Sequence, residues 1–456
     1  MTTHHQTRQA GIILHPTSLP NGVLDDNVYK FIDWVSNTNL TVWQMLPLTP
    51  PVDGISPYHS DSAFALNTNL LPPNWRDNFD EDAFQTYLSS PPHWLEDYAL
   101  FQTLKTYYDH KPWSEWPTAY RYREKSALTD FIKTHAAELI EIKKQQYAIH
   151  TLWQKIKAYA NKKGIQLFGD IPIFVTYNSV DVWANYSQFK LDENLSPTIV
   201  TGVPPDYFSE EGQLWGNPQY NWDAMQKNGF SWWLNRIAAA LEHFDLLRID
   251  HFRGLEATWE IPADSDTAKN GEWVKTPGCE LLNKLKESYP KMPFIAEDLG
   301  FITPEVKELK DKYHLPGMSV LQFGFNGNAD NPHALYNQME NSVVYTGTHD
   351  NDTSLGWYES LDDHTKSVVN DQTEKSEHPM PWPLIYSALN SPAYLAMIPM
   401  QDWLGLDSSA RMNTPGTIEH NWLWKFNWDE IPTDLSTRIK NLIQHYKRNT
   451  NLENFQ

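Results

Sequence analysis

Eight short apolar or β-branched runs, each stopping at a polar residue, predict an α/β chain folded as a (β/α)8 TIM barrel. Stretches long enough for helices separate most of these runs, which calls for parallel strands joined by crossover helices. The chain has 456 residues, more than one ordinary core closes, so the choice lies between two or three small domains and one large barrel with insertions. The eight runs favour a single barrel over 1–456, with helical insertions in the loops at its C-terminal face.

Taken in order, the first run is "GIIL" before His15 and the second "TVWQML" before Pro47. The gap to the third is far longer than one crossover helix needs. Within it, "LEDYALFQTLKTYY" places Leu95, Tyr98, Ala99, Leu104 and Tyr108 at helical spacing. From Leu128 the pattern resumes with Phe131, Ile132, Ala136, Leu139, Ile140, Leu152 and Ile156. It closes at "NKKG", with Gly164 placed to end a helix. Residues 71–160 are therefore expected to form an inserted, mainly helical subdomain. "IQLF" before Gly169-Asp170 is the third strand. The segment 201–222, "TGVPPDYFSEEGQLWGNPQYNW", is rich in Gly, Pro and aromatics and is expected to be an ordered active-site lid loop. "FDLLRI" before Asp250, "PFIA" before Glu297, "MSVLQF" at 318–323, "SVVYTGT" before His349-Asp350 and "AYLAMIPM" before Gln401-Asp402 complete the eight. The tail "DLSTRIKNLIQHYKR" has the pattern of an amphipathic closing helix.

The net charge of −21 repels phosphate backbones and anionic lipid headgroups, so neither nucleic acid nor a membrane surface is expected as a partner. Neutral ligands such as sugars remain open. The single cysteine, Cys279, allows no internal disulfide and no thiolate metal cluster. The start "MTTHHQTRQAGIILHP" has no apolar region of signal-peptide length, and no run is long enough to span a bilayer. A cytoplasmic location is expected. Aromatics make up 13% of the chain, enough for a large core or for a cleft that stacks on sugar rings, and composition alone favours the core.

The chemistry sits at the strand ends. Side chains alternate across a strand, so Leu246, Arg248 and Asp250 share one face and Leu247 and Ile249 the other. An unpaired charge facing into a barrel would cost several kcal/mol, so Arg248 and the acids should pair. One such strand could be a structural plug. Four acids, Asp170, Asp250, Glu297 and Asp350, each follow an apolar run on a different strand, and barrel enzymes place their catalytic groups at that end. Crowded carboxyls raise one another's pKa, which supplies one ionised and one protonated group near neutrality. Two carboxylates roughly 5–5.5 Å apart make a retaining glycosidase. No serine-hydrolase elbow, phosphate-binding loop, dinucleotide fingerprint or zinc-protease motif is present. "DNDTSLGWYESL" starts like a calcium loop but has Leu355 where glycine is needed and Leu361 where the closing glutamate should stand. No metal and no cofactor are expected.

At these residues the sequence resembles the 4-α-glucanotransferases (amylomaltases) of glycoside hydrolase family 77, in the α-amylase clan. The resemblance rests on "ILHPTSLP", "WQMLPLTP", "SPYHSDSAFALN", "GDIPIFV", "GVPPDYFSEEGQLWGNPQYNW", "LLRIDHFRG", "FIAEDLG", "GTHDND" and "ARMNTPGT". It implies Asp250 as nucleophile, oriented by Arg248, and Glu297 as general acid/base. It implies Asp350 as transition-state stabiliser, with His349 and His251 bonding the same sugar. Asp170 would support the site and Tyr58 would lie under the sugar at the cleavage point. Tyr207, Phe208 and Trp215 would belong to a loop arching over the acceptor. The implied substrates are malto-oligosaccharides and starch- or glycogen-derived glucans, with glucose as an acceptor. Two other readings stay open at this stage: an α-glucan hydrolase with the same acids, and, more remotely, a non-catalytic glucan-binding protein.

Overall fold

The computed structural model describes residues 8–52, 56–77, 79–205 and 210–448. Twelve strands are found among them: β1 Gln9–Ile13, β2 Val42–Gln44, β3 Gln166–Ile171, β4 Ile199–Val203, β5 Gln213–Pro218, β6 Leu246–Ile249, β7 Ala257–Pro262, β8 Glu272–Lys275, β9 Phe294–Ala296, β10 Gly317–Val320, β11 Ser342–Tyr345 and β12 Leu395–Pro399. Eight form one parallel sheet in the order β10-β11-β12-β1-β2-β3-β6-β9. The amide of Ala296, at the end of β9, donates to the carbonyl of Pro316 just before β10, at 2.9 Å, and this bond draws the two edges together into a barrel. All eight runs read from the sequence are barrel strands. They were legible because strands buried on both faces read as continuous apolar stretches.

Inside the barrel, Ile13, Val42, Phe168, Ile295, Met318, Val320, Val343, Tyr345, Leu395 and Met397 pack as one cluster. Leu246 leans on that cluster, while Leu247 and Ile249 belong to the outer layer beneath the helices. The alternation expected for the Arg248 strand is the alternation found. Gly169 illustrates how tight the outer layer is. A Cβ there would lie 2.3 Å from the Phe244 ring, so the glycine lets that ring close against β3.

Between β2 and β3 lie helices Glu81–Ser89, Leu95–Tyr107, Thr118–Arg121, Lys125–Thr134 and Ala136–Lys162. The periodicity from Leu128 does not run through unbroken. His135 (φ −115°, ψ 29°) separates two helices and stacks its ring on Phe131 at 4.0 Å. Gly164 (φ 78°) follows the long helix as anticipated. Residues 201–203 and 213–218 are strand rather than loop. With β7 and β8 they form an antiparallel sheet in the order β5-β4-β7-β8. This sheet escaped the sequence reading because its strands are paired by distant residues, Thr201 with Glu260 for example. No helix among the described residues is long and apolar enough to cross a membrane.

The C-terminal helix Leu435–His445 packs on the barrel, and Arg448 beyond it is wholly buried. Its guanidinium donates to the carbonyls of Gln9, Ala388, Leu389, Ser391 and Ala393. Arg448→Ala should leave these acceptors unsatisfied and destabilise the fold by about 3 kcal/mol, read as a lower urea midpoint with activity per folded molecule retained.

Candidate active site

The strand ends bring Asp170, Arg248, Asp250, Glu297 and Asp350 to one mouth of the barrel. Arg248 is the hub. Its guanidinium lies 2.6 Å from Asp170 Oδ2 and 2.8 Å from Asp250 Oδ1. Burial alone disfavours its charge, but Asp170 and Asp250 outweigh that and hold it well above its ordinary pKa. The buried Asp170 is raised by desolvation and opposed by Arg248. Its Oδ2 also accepts from the Tyr58 hydroxyl at 2.7 Å. Tyr58 OH sits 2.8 Å from His349 Nε2, and the two rings stack at 5.2 Å.

Glu297 follows β9 and is fixed by backbone rather than by side chains. His251 N–H donates to Oε2 at 2.6 Å and Leu299 N–H to Oε1 at 2.9 Å. His251 adopts a left-handed backbone (φ 48°), a conformation histidine tolerates better than most residues. This turn directs its amide at Glu297, and the next amide, Phe252 N–H, bonds the Glu297 carbonyl. Desolvation, with Asp250 adding to it, lifts the Glu297 carboxyl to about 7, against the pull of Arg248 and the two amides. Asp250 is thus the acid paired to Arg248 at the mouth, and Glu297 the one raised towards neutrality.

Asp350 is the most open of the acids, its side chain 46% exposed. Asn413 Nδ2 donates to its Oδ1 at 2.7 Å, and Arg411 donates to its carbonyl at 2.8 Å. His349 Nε2 lies 3.4 Å from Oδ2. Tyr58, Asp250, His251, Asp350, Asn413 and Trp422 face one open cleft. Trp215 closes one side, its ring edge-on to His251 at 4.8 Å. Burial pushes the His251 imidazole down to about 4, so it is neutral, and its Nε2 has no hydrogen-bond partner among the described residues. Nine of the eleven residues singled out in the sequence thus gather at this end of the barrel, and five of them, Tyr58, Trp215, Asp250, His251 and Asp350, line the cleft. The other two, Tyr207 and Phe208, lie outside the described residues.

Sequence reasoning gave no role to Asn413, Arg411 or Trp422. The block "ARMNTPGT" was noted only as a mark of resemblance, although two of its side chains hold Asp350. Trp422 carried no signal at all.

Comparisons with known proteins bear on the family and the fold. A family model described as 4-alpha-glucanotransferase matches residues 14–78 and 73–431. The 4-alpha-glucanotransferase of Thermus thermophilus is 41% identical over 495 aligned residues, covering 97% of this chain and 99% of that protein. That of Streptococcus pneumoniae is 39% identical over 500, with 98% of each covered. Among solved structures, an amylomaltase from Streptococcus agalactiae in complex with acarbose superposes with a TM-score of 0.93 at 32% identity, covering 97% of this chain and all of that one. An amylomaltase from Corynebacterium glutamicum shares the fold at a TM-score of 0.74 and 15% identity, covering 97% and 75%. With a nearly full-length match in both sequence and structure, the chain belongs to the 4-alpha-glucanotransferase family, glycoside hydrolase family 77, and is an enzyme that transfers segments of α-1,4-glucan.

Proposed function

We propose that Asp250 is the nucleophile, Glu297 the general acid/base and Asp350 a transition-state stabiliser in a retaining double displacement on malto-oligosaccharides. In the first step Glu297 protonates the glycosidic oxygen as Asp250 attacks C1, giving a covalent glycosyl-enzyme. In the second, Glu297 removes the proton from an acceptor 4-OH, which displaces Asp250 and restores the α-linkage. Glucose and short glucans serve as acceptors. Arg248 aims Asp250, its Nη2 lying 2.8 Å from Oδ1. Asp170, Tyr58 and His349 hold Arg248 and the sugar in place, and Asp350 and His251 bond sugar hydroxyls. The observation that carries the reading is the contrast between Asp250, paired to a buried arginine, and Glu297, held at about 7. That value also cycles usefully. Desolvation is the larger cause raising Glu297 and Asp250 adds to it, so esterifying Asp250 shifts Glu297 downward, towards the anion the second step needs.

Incubation with maltotriose tests the reading. Longer and shorter glucans should appear together with glucose while total reducing ends stay constant. Rising reducing ends with only short products would instead mean hydrolysis.

The segment 201–222, with Tyr207, Phe208 and Trp215, is proposed to hold the acceptor and exclude water. Trp215→Ala is expected to lower the transfer-to-hydrolysis ratio about fivefold, on the order of 1 kcal/mol of lost acceptor contact. An unchanged ratio would remove the segment from the mechanism.

A further inference from the structure

Asp350 lies on the turn between β11 and the helix Ser354–Ser360, with nearly half of its side chain in solvent. A carboxylate that open is placed largely by the backbone beneath it. The turn is tied within itself, since Asn351 Oδ1 accepts from the Thr348 N–H at 2.9 Å and from the Thr348 hydroxyl at 2.8 Å. Its two feet are Thr346, just past β11, and Ser354, where the helix begins. Both feet end on one group. Asp402 Oδ2 accepts from the Thr346 hydroxyl and from the Ser354 hydroxyl, each at 2.6 Å, and Oδ1 accepts from the Ser354 N–H at 2.7 Å. Thr346, Ser354 and Asp402 are all wholly buried.

A buried carboxylate is costly at a place where apolar packing would serve. Burial raises the Asp402 pKa against the pull of its three donors, Asp352 adds a like charge, and no cation pairs with it among the described residues. What the group supplies is geometry. Its two oxygens have acceptor sites for all three donors, and short charge-assisted bonds hold both feet at a fixed separation. Asp402 stands on the short helix Met400–Leu404 that follows β12, and β12 is the strand paired to β11, so the clamp is anchored to the barrel. Its neighbour Gln401 donates to the Ala410 carbonyl at 3.2 Å, next to Arg411, whose guanidinium bonds the Asp350 carbonyl. One short helix thus holds both segments that meet at Asp350. Resting on the transition-state role given above to Asp350, we propose that Asp402 is a positioning residue for the transfer reaction. Wholly buried, it touches no substrate, and it acts by fixing where the Asp350 carboxylate stands against the reacting sugar.

The test is a double-mutant cycle in the full chain, with α-maltotriosyl fluoride as donor, glucose as acceptor and fluoride release as the readout. The activated leaving group keeps the rates of impaired variants measurable. Asp402→Ala is expected to lower kcat about 50-fold, the scale set by misplacing a reacting group by roughly 1 Å, with KM within about threefold. In the Asp350→Asn background the same substitution should cost less than about threefold, because the group that Asp402 positions is already disabled. Asp402→Asn still reaches both feet, its oxygen serving the Ser354 amide and its NH2 the two hydroxyls, which rotate to accept. It should recover kcat to within about fivefold of the unaltered chain. An unchanged kcat in Asp402→Ala, or the same loss in both backgrounds, would overturn the proposal. So would an Asp402→Asn variant as poor as Asp402→Ala, which would place the effect in the charge rather than in the clamp. Should Asp402→Ala not fold, Thr346→Val removes one hydroxyl at nearly constant shape. That variant should lose about fivefold in kcat alone and less than about twofold beside Asp350→Asn, and an unchanged kcat would overturn the clamp. Full kcat in Asp350→Asn by itself would instead overturn the transition-state role of Asp350.

Discussion

Asp250→Asn should abolish transfer from maltotriose, by about four to six orders of magnitude in kcat, while the chain folds as before. The side chain is the group proposed to form the covalent bond, and an amide oxygen does not displace a glycosidic oxygen at a useful rate. The shape of the site should survive. Asparagine keeps an oxygen for Arg248 Nη2, now 2.8 Å from Asp250 Oδ1, and Asp170 still neutralises the guanidinium at 2.6 Å. Maltotriose should therefore still bind, within about tenfold of its normal affinity, since the ground-state contacts come largely from other groups. Calorimetry on the inactive variant separates the two effects. Loss of binding in proportion to activity would mean that Asp250 holds the sugar rather than attacking it. A second consequence follows from electrostatic coupling. The Asp250 charge helps to raise Glu297, so removing it should shift the Glu297 titration downward, observable by carboxyl-selective NMR or infrared difference spectroscopy.

How far such a site can be read from sequence depends on where its information lies. Three of the four acids were legible because each sits one to five residues past a strand that announces itself by composition, while Asp170 lies within β3 near its end. Asp250 directly follows β6, Glu297 directly follows β9, and His349-Asp350 come shortly after β11. Pairing of Arg248 followed from the cost of an uncompensated charge in a barrel, although the choice of both Asp170 and Asp250 as partners needed the register of β3 against β6, where Asp170 lies opposite Arg248. What stayed hidden is long-range. Asn413 reaches Asp350 across 63 residues of chain, and β4 finds β7 across an intervening barrel strand. Nothing in the composition of "ARMNTPGT" states which acid it will hold. The break at His135 was missed for the opposite reason. Apolar spacing continues on both sides of it, and periodicity alone does not register a change of axis.

Glu297→Gln should be nearly as damaging as loss of the nucleophile with maltotriose, by about a thousandfold in kcat, yet the defect should depend on the donor. Glutamine keeps one acceptor oxygen, enough for one of the His251 and Leu299 amides that the carboxylate accepts on its two oxygens, and it can neither give nor take a proton. With α-maltotriosyl fluoride the leaving group needs no proton. Asp250 should then be glycosylated at close to the normal rate, with a burst of about one fluoride per enzyme. Turnover should stall afterwards, because no base activates the acceptor hydroxyl. Azide, a nucleophile that needs no base, should release the stalled enzyme and yield a glycosyl azide. The pH profile provides an independent check. Glycosylation needs Glu297 protonated, so kcat/KM for maltotriose should fall as pH rises through about 7, the value to which desolvation and Asp250 lift this carboxyl. With the fluoride donor that alkaline limb should be absent from the first step in the unaltered chain and in Glu297→Gln alike, since no group then has to hold a proton. A burst absent with the fluoride, or an alkaline limb that persists near 7 in the variant, would assign the acid/base role to another residue. Both results together would leave Glu297 as a structural carboxyl held by two amides.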